Sequence, residues 1–231
     1  MTWELFQEVL HTTTGGKSVG AGGFSIELLK LSGEPAQLVF YTALVSDLKG
    51  KVIAKEWKTV LYALLAKKPP NNPDIVAQRR EIALMAQEMK LLLQMVRRVS
   101  YQRIVGRVLQ AQGGWLSGYG CSDTGLIAAG TIQQSARLKQ TLYLLYIDLA
   151  TFFPRIDRKA LKISEILHGL PDEVCELALL IYGTADDPDK AVECHYDSAG
   201  GLGGGFKNWM GALMGCVLSP DKAKIFLNTI I

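Results

Sequence analysis

The chain has 231 residues, 48% of them apolar and 20% charged, enough for a sizeable core and ordinary for a folded globular protein. No apolar run reaches the ~18 residues that a membrane span needs. The opening "MTWELFQEVLHTTT" has two acids and no apolar stretch of signal-peptide type, so a soluble intracellular protein with no membrane partner is expected. Four scattered cysteines (Cys121, Cys175, Cys194, Cys216) without CxxC spacing argue against a zinc site or a disulfide framework.

Charge is uneven. The net value is +3, yet residues 49–110 hold 13 Lys and Arg against 4 Asp and Glu. Such a block fits a phosphate-bearing partner; the plainer reading is a pair of solvated helix faces.

In chain order, "FSIELLKLSG" and "EPAQLVFYTALVSDLKG" have helical spacing, with Gly33 and Gly50 as candidate C-caps. "EWKTVLYALLAK" predicts a strand running into "KKPPNNPD", whose prolines forbid regular structure, and a short apolar strand follows at "REIALM". Residues 87–112 form an amphipathic run that predicts one long helix. "GGWLSGYGCSD" is a glycine-rich loop in which Ser122 or Asp123 is placed to cap the next helix. "LYLLYIDLATFFPRID" predicts a buried strand over its apolar first half, then a helix capped by Asp157. "LPDEVCELALLIYG" reads as a helix with Pro171 near its start, "KAVECHYDSAGGLGGGFKNW" as a hairpin, and "SPDKAKIFLNTII" as a final helix. Strands and helices mix without strict alternation. The expected class is α+β, helices packed on a small, mostly antiparallel sheet.

Most candidate motifs are weak. "GGKSVG" lacks the glycine that a P-loop requires at position 11, where His11 stands, and no strand precedes it. "TADD" at 184–187 pairs two acids but runs on into Pro188, Asp189 and Lys190, so it reads as a solvated loop. His11, His168 and His195 have no partner at ligand spacing. Asp148 stands apart. A carboxylate at the end of a buried strand requires a partner. Of Phe152 and Phe153, one is read as packed in the core and the other as free to wall a pocket, while Lys67, Lys68 and Arg80 lie upstream. Cations, a carboxylate and an aromatic wall together suit a metal-bound triphosphate; a lone Asp of this kind is also a common cap or ion-pair partner.

Five segments, in order, resemble reverse transcriptases of the group II intron and non-LTR retroelement type. "GKSVGAGGFSIELLK" is similar to the family's early KxxGxDGxxxExLK element, and "AKKPPNNPDIVAQRREIAL" to its fingers segment ending in RPI-L. "GGWLSGYGCSDTGLIAAGTIQ" resembles GFRxGxSTxDxIxxL. "YIDLATFFPRIDRKAL" resembles motif A, and "GALMGCVLSPDKAKIFLN" resembles motif B, GxxQGxxLSPxLxxLxxN.

The resemblance implies a right-hand polymerase: a fingers-like region with the basic block at 1–140 and a partial palm with motifs A and B at 141–231. It implies RNA-directed DNA polymerase activity, a nucleotidyl transfer from dNTP to a primer 3′-OH on an RNA template, with Mg²⁺ as cofactor. Asp148 would be the motif A catalytic metal ligand, with the Leu149 carbonyl beside it. Phe153 would exclude a ribose 2′-OH, Arg80 and Lys67 would meet the triphosphate, and Gly215 would let the backbone approach the nucleotide. Arg97, Arg98, Arg103 and Arg107 of the basic block would contact nucleic acid.

The chain departs from the pattern at Met214 (Gln in the family), Gly22 (Asp), Pro154 (often an acid) and Glu81 (Pro). No Asp-Asp hairpin follows motif B, so the expected protein is a piece ending before motif C and inactive alone, or a nucleic-acid-binding remnant. On this reading a C-terminal palm and thumb segment is missing, and the apolar last helix would be left facing water.

Overall fold

The proline-rich stretch after Lys67 separates two runs of strand-forming residues, and these pair antiparallel. β1 (Thr59–Ala66) meets β2 (Arg79–Met85) from Val60↔Met85 to Ala66↔Arg79. The other edge of β1 takes β3 (Val192–Ser198) in parallel, Thr59↔Glu193 to Tyr62↔Tyr196. β4 (Gly201–Leu202) and β5 (Phe206–Asn208) both return antiparallel on β3, which realises the expected hairpin and completes a five-stranded mixed sheet. The computed structural model describes residues 1–67, 79–105, 108, 113–114, 118–184, 186–198 and 201–230.

The pleat sorts the β1–β2 ladder into two faces. Val60, Tyr62, Ala83 and Met85 are buried in the main core. Leu65, Arg80 and Ile82 lie on the opposite, more open face, which Lys67 continues. At the end of β2 the chain enters α4 (Gln87–Val105), whose Met89, Leu91, Leu92, Leu93, Met95 and Val96 are all buried. Burial on so many sides makes α4 the centre of the molecule rather than a surface helix. Beyond Val105, most of the helix expected to reach residue 112 lies outside the described residues, as does most of the loop after Lys67.

The opening segment, in which no apolar core was legible, forms α1 (Trp3–Thr12) and contributes Phe6, Val9 and Leu10 to that core. Its rings mesh with Phe40 and Tyr41 of α3 (Glu34–Lys49). Gly50 ends α3 as expected, but Gly33 starts it: α2 (Ile26–Leu31) closes on Ser32 instead.

In the second half, α6 (Phe152–Arg155) is a single turn before α7 (Arg158–Leu167), whose first turn the Asp157 carboxylate caps by accepting the Ala160 N–H at 2.7 Å. Pro171 precedes α8 (Asp172–Tyr182), and α9 (Ser219–Ile230) packs along α7. The expected water-facing last helix is not found: Ala223 and Ile225 are buried and Phe226 joins the cluster of Ile156 and Leu161.

The largest difference from expectation is at 142–148. No strand forms there, and every residue from 141 to 149 is exposed. The physical reason is pairing. Both edges of β1 are occupied, and on β2 the Ala83 N–H is taken by the Met214 carbonyl at 2.6 Å. Strand propensity alone does not make a strand, and residues 142–148 pair with none of β1–β5. The preceding helix, α5 (Cys121–Arg137), likewise buries no residue; the Asp123 carboxylate closes its start on the Gly120 N–H at 2.6 Å.

Candidate functional site

The turn at 211–216 draws distant segments together. Ala212 donates to the Phe153 carbonyl at 2.8 Å, and Gly211 to the Ile156 carbonyl at 2.9 Å. On the far side, Gly215 adopts φ +104, and a Cβ there would lie 2.6 Å from the Ala83 carbonyl oxygen. Only glycine combines that dihedral with that approach. The same Cβ would reach Ile82, on the face of β2 that carries Arg80. Residues 153–156, 82–83 and 211–215 therefore form one continuous contact.

Among the expected site residues, Gly215, Phe153 and the strand carrying Arg80 meet there. Arg80 is exposed, and Lys67 follows the Ala66↔Arg79 pair, at the end of the ladder where β1 leads on toward β2. The division of labour expected of the two phenylalanines is absent. Phe152 and Phe153 are both half-buried, stack edge-on at 5.8 Å, and pack against the same small cluster as Ala212 and Phe226. Asp148 and Leu149 are exposed, and the strand that was to hold them is not formed. Among the described residues, no three His, Cys, Asp or Glu side chains gather as a metal site.

The basic block is partly spent inside the fold. Arg97 donates to Asp221 at 2.7 Å, and Arg98 to Glu8 at 2.6 Å, tying α4 to α9 and α1. Their expected nucleic-acid contacts compete with these pairs. Arg103 lies on α4; Arg107 lies outside the described residues.

The residue that sequence reasoning missed is Arg158, 5% exposed at the start of α7. Its guanidinium donates to the carbonyls of Gly211 (2.9 Å), Tyr182 (2.5 Å), Gly183 (3.1 Å), Asn208 (3.0 Å) and Met210 (3.1 Å), and to the Asn208 side-chain oxygen at 3.1 Å. It thus fastens the end of α8, the end of β5 and the approach to the 211–216 turn. Burial lowers its pKa to about 10, so it is a cation at neutral pH. Next to it, the buried pair Lys222–Glu165 joins α9 to α7. Only position could have flagged Arg158, one residue after a legible cap; the residue type carries no signal.

The remaining candidates behave as structural groups. Asp186 pairs with Lys159 and Asp187 with Lys190, so "TADD" is a surface loop held by lysines. His168 bridges the Ser164 carbonyl (2.8 Å) and Asn228 (2.7 Å); His195 meets the Gly203 carbonyl at 3.1 Å. A cleft of about 570 Å³ between the end of α3 and α8 contains none of the expected site residues. No helix among the described residues is long and apolar enough to cross a membrane. No protein-family model matches the chain, and no curated protein matches its sequence.

Proposed function

We propose that the chain is the fingers and part of the palm of an RNA-directed DNA polymerase of the group II intron and non-LTR retroelement type. One observation supports this reading above the others. Three of the five family-like segments, separated by up to about 130 residues, converge on the 211–215 turn through Phe153, Ala83 and Gly215. In the proposed assignment Arg80 and Lys67 face the triphosphate, Phe153 faces the sugar, and Gly215 gives the nucleotide room against the backbone. The partners are an RNA template, a DNA primer and a dNTP.

Mg²⁺ is the proposed ion, with the Asp148 carboxylate and the Leu149 carbonyl as its protein ligands. Two-ion phosphoryl transfer needs carboxylates that hold both ions about 3.5–4 Å apart. The described residues offer Asp148 no carboxylate cluster, so the groups among them do not fit a two-ion centre. That same observation favours the second reading, a nucleic-acid-binding remnant.

Binding of the chain to primed poly(rA)/oligo(dT), followed by fluorescence anisotropy across salt concentrations, tests what the two readings share. Log K is expected to fall linearly with log salt, and Arg103→Glu to make the slope shallower by about 0.7–0.9 or more. Salt-independent binding, or none at low ionic strength, would sink both. Primer extension by the chain joined to a hairpin bearing two aspartates separates them. The polymerase reading expects Mg²⁺-dependent extension that Asp148→Asn abolishes; extension indifferent to that change removes Asp148 from the site.

A further inference from the structure

The least accommodated feature of the molecule is the tract 140–149, "QTLYLLYIDL". Tyr143 is 89% exposed, Tyr146 84%, Leu145 83% and Ile147 76%, and α5, which precedes it in the chain, exposes Leu126 and Ile127. Uncharged, β-prone, proline-free runs of this length are the segments that add to another strand when left open. Their unpaired backbone groups supply the affinity of strand addition.

We propose that this tract is a dimerisation strand whose partner is the same tract of a second copy, running antiparallel. The argument for a second copy is charge. Eight uncharged residues separate Lys139 from Asp148, so the tract is a dipole with an apolar centre. An uncharged centre offers a phosphate backbone no cation. A parallel partner would set Asp148 beside Asp148, and like charges in register oppose pairing. An antiparallel copy, with its two-fold axis at Tyr143 or Leu144, brings the Lys139 end of each strand alongside the Asp148 end of the other. The interface is then self-complementary and closes as a dimer rather than an open chain.

A stable interface buries about 800 Å² per partner. Tyr143 and Tyr146 point to opposite faces of a strand, so each contributes only the part of its roughly 150–250 Å² that its own face covers, and the aliphatic side chains beside them add to it. Two strands alone are marginal in water, so the exposed Leu126 and Ile127 of α5 are assigned the cover on one face.

This inference does not rest on the polymerase reading, and its test uses no nucleic acid. Sedimentation equilibrium of the whole chain is expected to show a monomer–dimer equilibrium. Tyr143→Lys, which places like charges at or beside the axis, is expected to raise the dissociation constant by more than tenfold with the circular dichroism of the monomer unchanged. Lys139→Glu and Asp148→Lys should each weaken the dimer several-fold, and an equimolar mixture of the two should recover it as a heterodimer. A monomer at all concentrations, open-ended oligomers, a dimer indifferent to Tyr143→Lys, or no recovery on mixing would each overturn the proposal.

Discussion

Replacing Arg158 by Met keeps most of the side-chain volume and removes every donor. The five carbonyls that the guanidinium holds then stay in place with no replacement partner. Exchanging a whole buried ionic group for apolar residues is often neutral, but here the acceptors are backbone atoms and cannot be exchanged. Each buried acceptor left unsatisfied costs about 1–3 kcal/mol. Partial relaxation and remaining neighbours reduce the sum, and removing one partner from a buried charged network typically costs about 3–5 kcal/mol. With a urea m-value of about 2 kcal/mol/M, the unfolding midpoint should fall by roughly 2 M. Arg158→Lys keeps the charge without the planar fork and should lose less, on the order of 2 kcal/mol.

The pH dependence gives a second check. Burial lowers the folded-state pKa to about 10, against about 12.5 or above when unfolded. The unfolded chain therefore binds more protons in that window, so this group's contribution to stability rises with pH only above about 10. Between pH 6 and 8 the cost of Arg158→Met should stay constant. A midpoint change under about 0.5 M, or Arg158→Lys matching the parent, would refute the idea that this fork holds the turn.

Two further expectations follow from the same contacts. Gly215→Ala forces a Cβ to 2.6 Å from the Ala83 oxygen at φ +104 and should cost on the order of 3 kcal/mol, whereas Gly125→Ala, in open space within α5, should be neutral or stabilising; comparable urea midpoints for the two would contradict the close approach. In the folded protein a disulfide-exchange reagent should label Cys121 quickly and spare the rest, because Cys175 and Cys194 are buried with thiol pKa values pushed up to about 12 and about 11, and Cys216 is buried; a second fast thiol before unfolding would count against this core.

What was legible in the sequence was whatever local chemistry decides. β1 and β2 formed on either side of the stretch after Lys67, whose prolines lie outside the described residues, Asp157 capped α7, and the segment 190–209 returned on itself as β3 and β5. Pairing was not legible. That β1 would take β3 in parallel depends on residues 130 positions away, and no periodicity encodes it. The role of α1 was hidden because its apolar residues are few and separated; they gain their partners only from α3 and α4. In the basic block, Arg97 and Arg98 pair with Asp221 and Glu8, acids that are invisible to any count over 49–110.

Asp148 turns on that same distinction between propensity and pairing. Its tract has the composition of a buried strand, and in this structure it joins no ladder. Nothing in an exposed segment fixes a carboxylate to the accuracy that catalysis demands. Asp148 can serve a metal centre only when a strand beside it freezes the backbone, and on the polymerase reading that strand must also bring the other carboxylates. A second copy of the tract would freeze the backbone equally well but bring Lys139 in place of an acid. The two occupants compete for one edge, and they leave opposite charges beside Asp148. On those two proposals, the strand that pairs with residues 142–149 would decide whether this carboxylate is a metal ligand or one end of an ion pair.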